Sequence, residues 1–149
     1  MPARIRYYGW SALSIETADG ALFFDPFFRP YCGAEWFHLE DFRHAKYICV
    51  THGHEEHFLD VPVIAHATGA TVVGSPSVCS FLKWRRGLPA ERLKVIDPKA
   101  FGTLSLPGFK LAAFRWKPTI VGTSGDEHAL GGERLASIDV QRRIRPVER

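Results

Sequence analysis

Three histidines and two glutamates fall within seven residues, Thr51-His52-Gly53-His54-Glu55-Glu56-His57. Imidazole and carboxylate groups are ligands for zinc and similar divalent ions. In an extended segment His52 and His54 share a face, because alternate residues do. A helix beginning near Glu55 or Glu56 turns Glu56 and His57 toward the same point. Donors this dense on one short loop point to a metal centre, and an open metal centre points to hydrolytic chemistry. The spacing is not that of the HExxH helix, since His54 and His57 are three residues apart rather than four. The bland alternative is a polar loop that happens to be rich in histidine.

The elements that must position this loop are legible on both sides of it. Residues 47–50, Tyr-Ile-Cys-Val, read as a short buried strand that delivers the loop. Residues 58–67 read as a helix, with Pro62 in its first turn. Upstream, residues 4–8 and 11–17 alternate like strands, Ala18-Asp19-Gly20 is a turn, and residues 21–24 return as a hairpin partner that Asp25-Pro26 stops. Residues 27–44 form an aromatic-rich connection with one short helix expected near 35–42. Downstream, residues 71–73 read as a strand. Residues 77–86 read as a helix capped by Ser75 or Ser77 and stopped by Gly87. Residues 93–96, 101–106 and 110–114 read as further strands, with turns at Asp97-Pro98 and Pro107-Gly108. Strands, then strand–helix units, then strands predict a layered α/β domain.

Composition narrows the class. With 149 residues and 46% hydrophobic content, the chain can bury a core of its own in one domain. Cys32, Cys49 and Cys79 are odd in number and form no CxxC, which argues against a disulfide framework and for a reducing compartment. No apolar run approaches a membrane span, and residues 1–6 lack the apolar core of a signal peptide, so a soluble cytoplasmic protein is expected. The net charge of +3 is concentrated in Arg134, Arg142, Arg143, Arg145 and Arg149. No basic-aromatic surface pattern accompanies it, so nucleic acid is not the expected partner. Residues 117–149 are glycine-rich, then polar and aperiodic, and are expected to form a weakly ordered tail after a packed region at 1–116.

Thr-His-Gly-His-Glu-Glu-His resembles the His-x-His-x-Asp-His signature of the metallo-β-lactamase superfamily. The run Ile5-Arg6-Tyr7-Tyr8-Gly9-Trp10-Ser11-Ala12-Leu13-Ser14-Ile15-Glu16-Thr17, with Leu22-Phe23-Phe24-Asp25-Pro26-Phe27, resembles the opening hairpin of its ascorbate-6-phosphate-lactonase-like branch. The resemblance covers residues 5–116. It implies an αββα sandwich (α/β, α+β) holding the N-terminal half of the fold and part of the second half. It also implies that His52 and His54 bind a first metal, and that His57 with Glu56 binds a second. Asp25 would sit at the mouth and orient the ligands; a simple turn former before Pro26 is the other reading of that residue.

Two features depart from the family pattern. Glu56 stands where the family carries aspartate. The region 115–118 reads Arg-Trp-Lys-Pro, without the histidine the family places there for its first metal. Ser124-Gly125-Asp126 with His128 is a faint Gly-Asp match, read as an ordinary turn. His38, His44 and His66 have no motif around them and are read as surface or satisfied core residues. The expected function is a zinc-dependent hydrolase of an ester, lactone or phosphoester bond in a small-molecule substrate, with Glu56 as the catalytic carboxylate; manganese, iron and nickel also suit the donors. The alternative is a truncated or degenerate member that binds metal or a partner without turnover, as a homodimer or with a complementing second half. Tyr31, Trp36 and Phe37 are expected either to line an apolar pocket or to lie in the core.

Overall fold

The structure, a computed structural model, describes residues 3–30, 34–114 and 138–139. Its larger sheet has six strands in sequential order: β1 (Arg4–Tyr7), β2 (Leu13–Thr17), β3 (Gly20–Phe24), β4 (Ala45–Cys49), β5 (Thr71–Gly74) and β6 (Leu93–Val95). The first three pair antiparallel as hairpins. From β3 onward the pairing is parallel, so each further strand needs a crossover. The crossovers carry α1 (Glu55–Phe58) and α2 (Val61–Thr68) between β4 and β5, and α3 (Pro76–Arg86) between β5 and β6. A second, antiparallel sheet holds β7 (Thr103–Leu106), β8 (Phe109–Ala112) and β9 (Ile138–Asp139).

Strand alternation divides the core in two. Phe23, Ile48 and Val72 face one side of the larger sheet, where they pack with Val61, Ile64 and Ala65 of α2 and Val78 and Leu82 of α3. Leu22, Phe24, Tyr47, Cys49 and Val73 face the other side and pack against Phe109 and Leu111 of the second sheet and the adjoining Ala113. The Tyr47 and Phe109 rings meet edge to face at 5.9 Å across that interface. Burial on both faces explains why β3 and β4 read as continuous apolar runs. The layers are helices, sheet and sheet, the leading αββ portion of the expected αββα sandwich.

Several boundaries differ from the sequence reading. The helix expected over 58–67 is two pieces: the single turn α1, then α2 with Pro62 in its first turn. The connection after β3 holds two 3-10 turns, Ala34–Trp36 and Leu39–Phe42, in place of one helix. The strand expected from residue 101 begins at Thr103, because Phe101 adopts φ 49° at the end of a 3-10 turn. Ser75 is the cap of α3, its hydroxyl accepting from Val78 N, and Gly87 closes it at φ 70°. Trp36 is 79% exposed and belongs to neither core, whereas Phe37 packs against the helix-side core. Tyr31, Cys32, the region 115–118 and Ser124 to His128 lie outside the described residues. Of the expected tail, Ile138–Asp139 pairs with β8. No helix among the described residues is long and apolar enough to cross a membrane.

Candidate metal centre

β3 and β4 are parallel neighbours, with Phe24 opposite Cys49. The segments leaving these two strands therefore emerge at the same carboxyl end, the usual place for a ligand in an open α/β sheet. Asp25 comes directly after β3, its N–H donating to Cys49 O at 3.0 Å and so continuing the ladder by one residue. Its φ of 42° is rare for a residue with a side chain, although Asp tolerates it better than most. That twist sends the carboxylate under the histidine loop, where it is 2% exposed. Backbone strain of this kind collects at functional sites.

Asp25 Oδ1 accepts from Thr51 N at 2.7 Å, and Oδ2 lies 2.5 Å from Thr51 Oγ1 and 2.8 Å from His57 Nδ1. The start of α1 carries His57 inward, where it is 9% exposed. Ser11, from the turn joining β1 to β2, brings its hydroxyl within 3.1 Å of the same His57 Nδ1. His52 is 5% exposed and His54 is half-buried. Their rings meet with His52 Nε2 3.0 Å from His54 Nδ1. The His52 and His57 ring centroids are 3.9 Å apart.

This donor set fits a divalent metal. Two imidazole nitrogens on one tetrahedral zinc lie about 3.3 Å apart, given Zn–N bonds near 2.0–2.1 Å; the 3.0 Å between His52 Nε2 and His54 Nδ1 is close to that edge. Asp25, His52 and His57 also offer ligand atoms within 4.8 Å of one another. Asp25 also accepts at both oxygens, from Thr51 N at Oδ1 and from Thr51 Oγ1 and His57 Nδ1 at Oδ2. Glu56 stands in the first turn of α1, partly exposed and outside that cluster of three. His44 is turned away to Glu16, at 3.2 Å.

Neither described thiol, Cys49 or Cys79, belongs to that cluster. Burial, together with the nearby Asp25 charge as a smaller cause, pushes the Cys49 thiol well up from its usual range. Burial raises Cys79 to about 11. Raised thiols of this kind are poor nucleophiles at neutral pH.

Sequence reasoning missed two groups. Ser11 pairs with a histidine 46 residues away, and only the break at Gly9-Trp10 in an otherwise strand-like run marked its turn. Asp60, 1% exposed, holds the segment after Asp25 by accepting from Phe28 N at 3.1 Å and Arg29 Nε at 2.7 Å. Its signal was an acidic residue immediately before Val61-Pro62 at the start of α2.

A sheet-on-sheet fold with helices on its outer face and a histidine-rich loop at the strand ends defines a class. Residues 15–138 match the metallo-beta-lactamase superfamily, and the chain belongs to that superfamily. A metal-dependent hydrolase of the UPF0173 group from Symbiobacterium thermophilum is 33% identical over 138 residues, 89% of this chain and 57% of that protein. A UPF0173 metal-dependent hydrolase from Brucella ovis is 31% identical over 110 residues, 72% of this chain and 44% of that protein. The chain thus spans about half the length of the curated relatives it matches. Among solved structures, Igni18, a metallo hydrolase from the archaeon Ignicoccus hospitalis, superposes with a TM-score of 0.66 at 22% identity, over 93% of this chain and 56% of its own. A B3 metallo-beta-lactamase with an active-site glutamic acid superposes with a TM-score of 0.52 at 23% identity, over 72% of this chain and 46% of its own. These two likenesses speak to the fold.

Proposed function

We propose that the chain carries the metal centre of a hydrolase acting on an ester, lactone or phosphoester bond of a small molecule. The observation that carries the reading is the approach of His52 Nε2 to His54 Nδ1 at 3.0 Å, beside a buried His57 held by Asp25. His52 and His54 would hold one metal ion, and His57 with Glu56 a second. Zinc suits imidazole donors best, with manganese, iron and nickel as alternatives. Bound zinc supplies Lewis acidity and a hydroxide nucleophile at neutral pH. The chain's own residues supply the rest. Asp25 orients His57, the 1%-exposed Asp60 fixes the segment beyond Asp25, and Glu56, from the first turn of α1, orients the attacking water or accepts its proton.

Both named relatives from bacteria are metal-dependent hydrolases, which supports the reading. The free thiols Cys49 and Cys79 fit a cytoplasmic setting. The second reading, a member that binds metal or a partner without turnover, rests on Arg115-Trp116-Lys117-Pro118, where the family pattern has a histidine. Hydrolysis of a chromogenic ester, a lactone and bis(p-nitrophenyl) phosphate by zinc-loaded protein separates the two. Turnover that chelator and His57→Ala both remove supports the hydrolase. Zinc uptake with no turnover on any of the three supports the second reading.

A further inference from the structure

Thr51 Oγ1 lies between Asp25 Oδ2, at 2.5 Å, and His52 Nδ1, at 2.9 Å. A hydroxyl has one proton to give and lone pairs to receive. The Asp25 carboxylate only accepts, so the hydroxyl donates to it and receives the Nδ1–H of His52. The same Asp25 oxygen receives the Nδ1–H of His57 at 2.8 Å. Both neutral rings then carry their proton on Nδ1 and present a lone pair at Nε2. For His52 that lone pair faces His54 Nδ1.

We propose that Thr51 is a positioning residue that extends the hold of Asp25 from His57 to His52, so that one buried carboxylate sets the tautomer of two candidate metal ligands. This deepens the proposed metal centre and rests on it for its metal consequence. The chain of donors is closed: Thr51 gives its backbone N–H to Oδ1 and its hydroxyl to Oδ2 of the same side chain. Rotating the Thr51 hydroxyl away would break both its bond to Asp25 Oδ2 and its contact with His52 Nδ1. A group that fixes a ligating histidine in this way typically contributes about ten- to a hundredfold to metal affinity.

Two readouts on the full chain test the idea. Long-range proton–nitrogen correlation spectra of the metal-free protein report which ring nitrogen of each histidine carries the proton. We expect Nδ1 for His52 and His57 in the wild type. In Thr51→Val, His52 should lose that preference while His57 keeps it, and Thr51→Ser should restore it. Zinc affinity, measured by competition with a chromophoric chelator, should fall about ten- to a hundredfold in Thr51→Val and return toward wild type in Thr51→Ser. A wild-type His52 protonated at Nε2 overturns the proposal without any variant having to fold. So does a Thr51→Val protein with unchanged tautomer and zinc affinity. Absence of hydrolysis, with both readouts as expected, counts against the hydrolase reading and for this one. A wild type that binds no zinc overturns the metal consequence.

Discussion

Replacing Asp25 with asparagine separates an orienting carboxylate from a coordinating one. Asparagine keeps the shape but turns one acceptor into a donor pair. If its oxygen stays with Thr51 N, now accepted at 2.7 Å, the amide nitrogen faces the Thr51 hydroxyl and His57 Nδ1, both of which donated to Oδ2. His57 then matches it only by moving its proton to Nε2, the nitrogen a metal needs. If the amide flips, its nitrogen meets the Thr51 backbone N–H, leaving a buried donor unmatched at a cost of about 1–3 kcal/mol. The first arrangement disfavours the metal-competent tautomer, and the second keeps it only at that cost. The expected loss is about ten- to a hundredfold in zinc affinity, or about 1.4–2.7 kcal/mol. Isothermal titration against a competing chelator reads it directly. A loss well beyond about a thousandfold, more than orientation alone supplies, would mean that Asp25 coordinates the ion. Unchanged affinity would refute the idea that it sets the histidine tautomer at all.

The geometry sets the outcome of other perturbations as well. Asp60→Ala leaves Phe28 N without its acceptor and releases Arg29, whose half-exposed side chain adds little, so stability should fall by about 1–3 kcal/mol in urea unfolding. Gly102→Ala should cost about 1–3 kcal/mol in the same assay, because the added Cβ would stand 2.9 Å from Asp97 O and 3.1 Å from Asp97 N, where only backbone could give way. With Cys79 raised to about 11, on the order of one Cys79 thiol in a thousand is ionised at pH 8, so thiol reagents should label Cys79 slowly in the native protein and fast in the urea-unfolded protein, as read by peptide mapping.

Much of the scaffold was legible because the periodicity of its strands is a direct imprint of burial. Leu22 and Phe24 alternate with Phe23, and each set fills a different core, so an unbroken apolar run marks a strand covered on both faces. The histidine loop was legible for a similar reason: Thr51 to His57 are local in sequence, and a strand end leading into a helix start brings close spacing to a point in space. The features that escaped depended on distance along the chain or on shortness. The four residues of α1 are too few to show a helical period, so its turn merges with α2 in the sequence pattern. Phe101 reads as strand because aromatics favour strands, yet the turn before Gly102 holds it at positive φ and leaves it 72% exposed. Ser11 and Asp60 act through partners 46 and 31–32 residues away, which single-sequence pattern does not encode.

The central claim is that the histidine loop binds metal. Its most direct test is the metal content of the purified full chain after dialysis against excess zinc, beside a His52→Ala/His54→Ala variant. The account predicts roughly one or two equivalents in the wild type and a clear loss in the variant. A wild type without bound zinc, or a variant that retains all of it, would contradict the account.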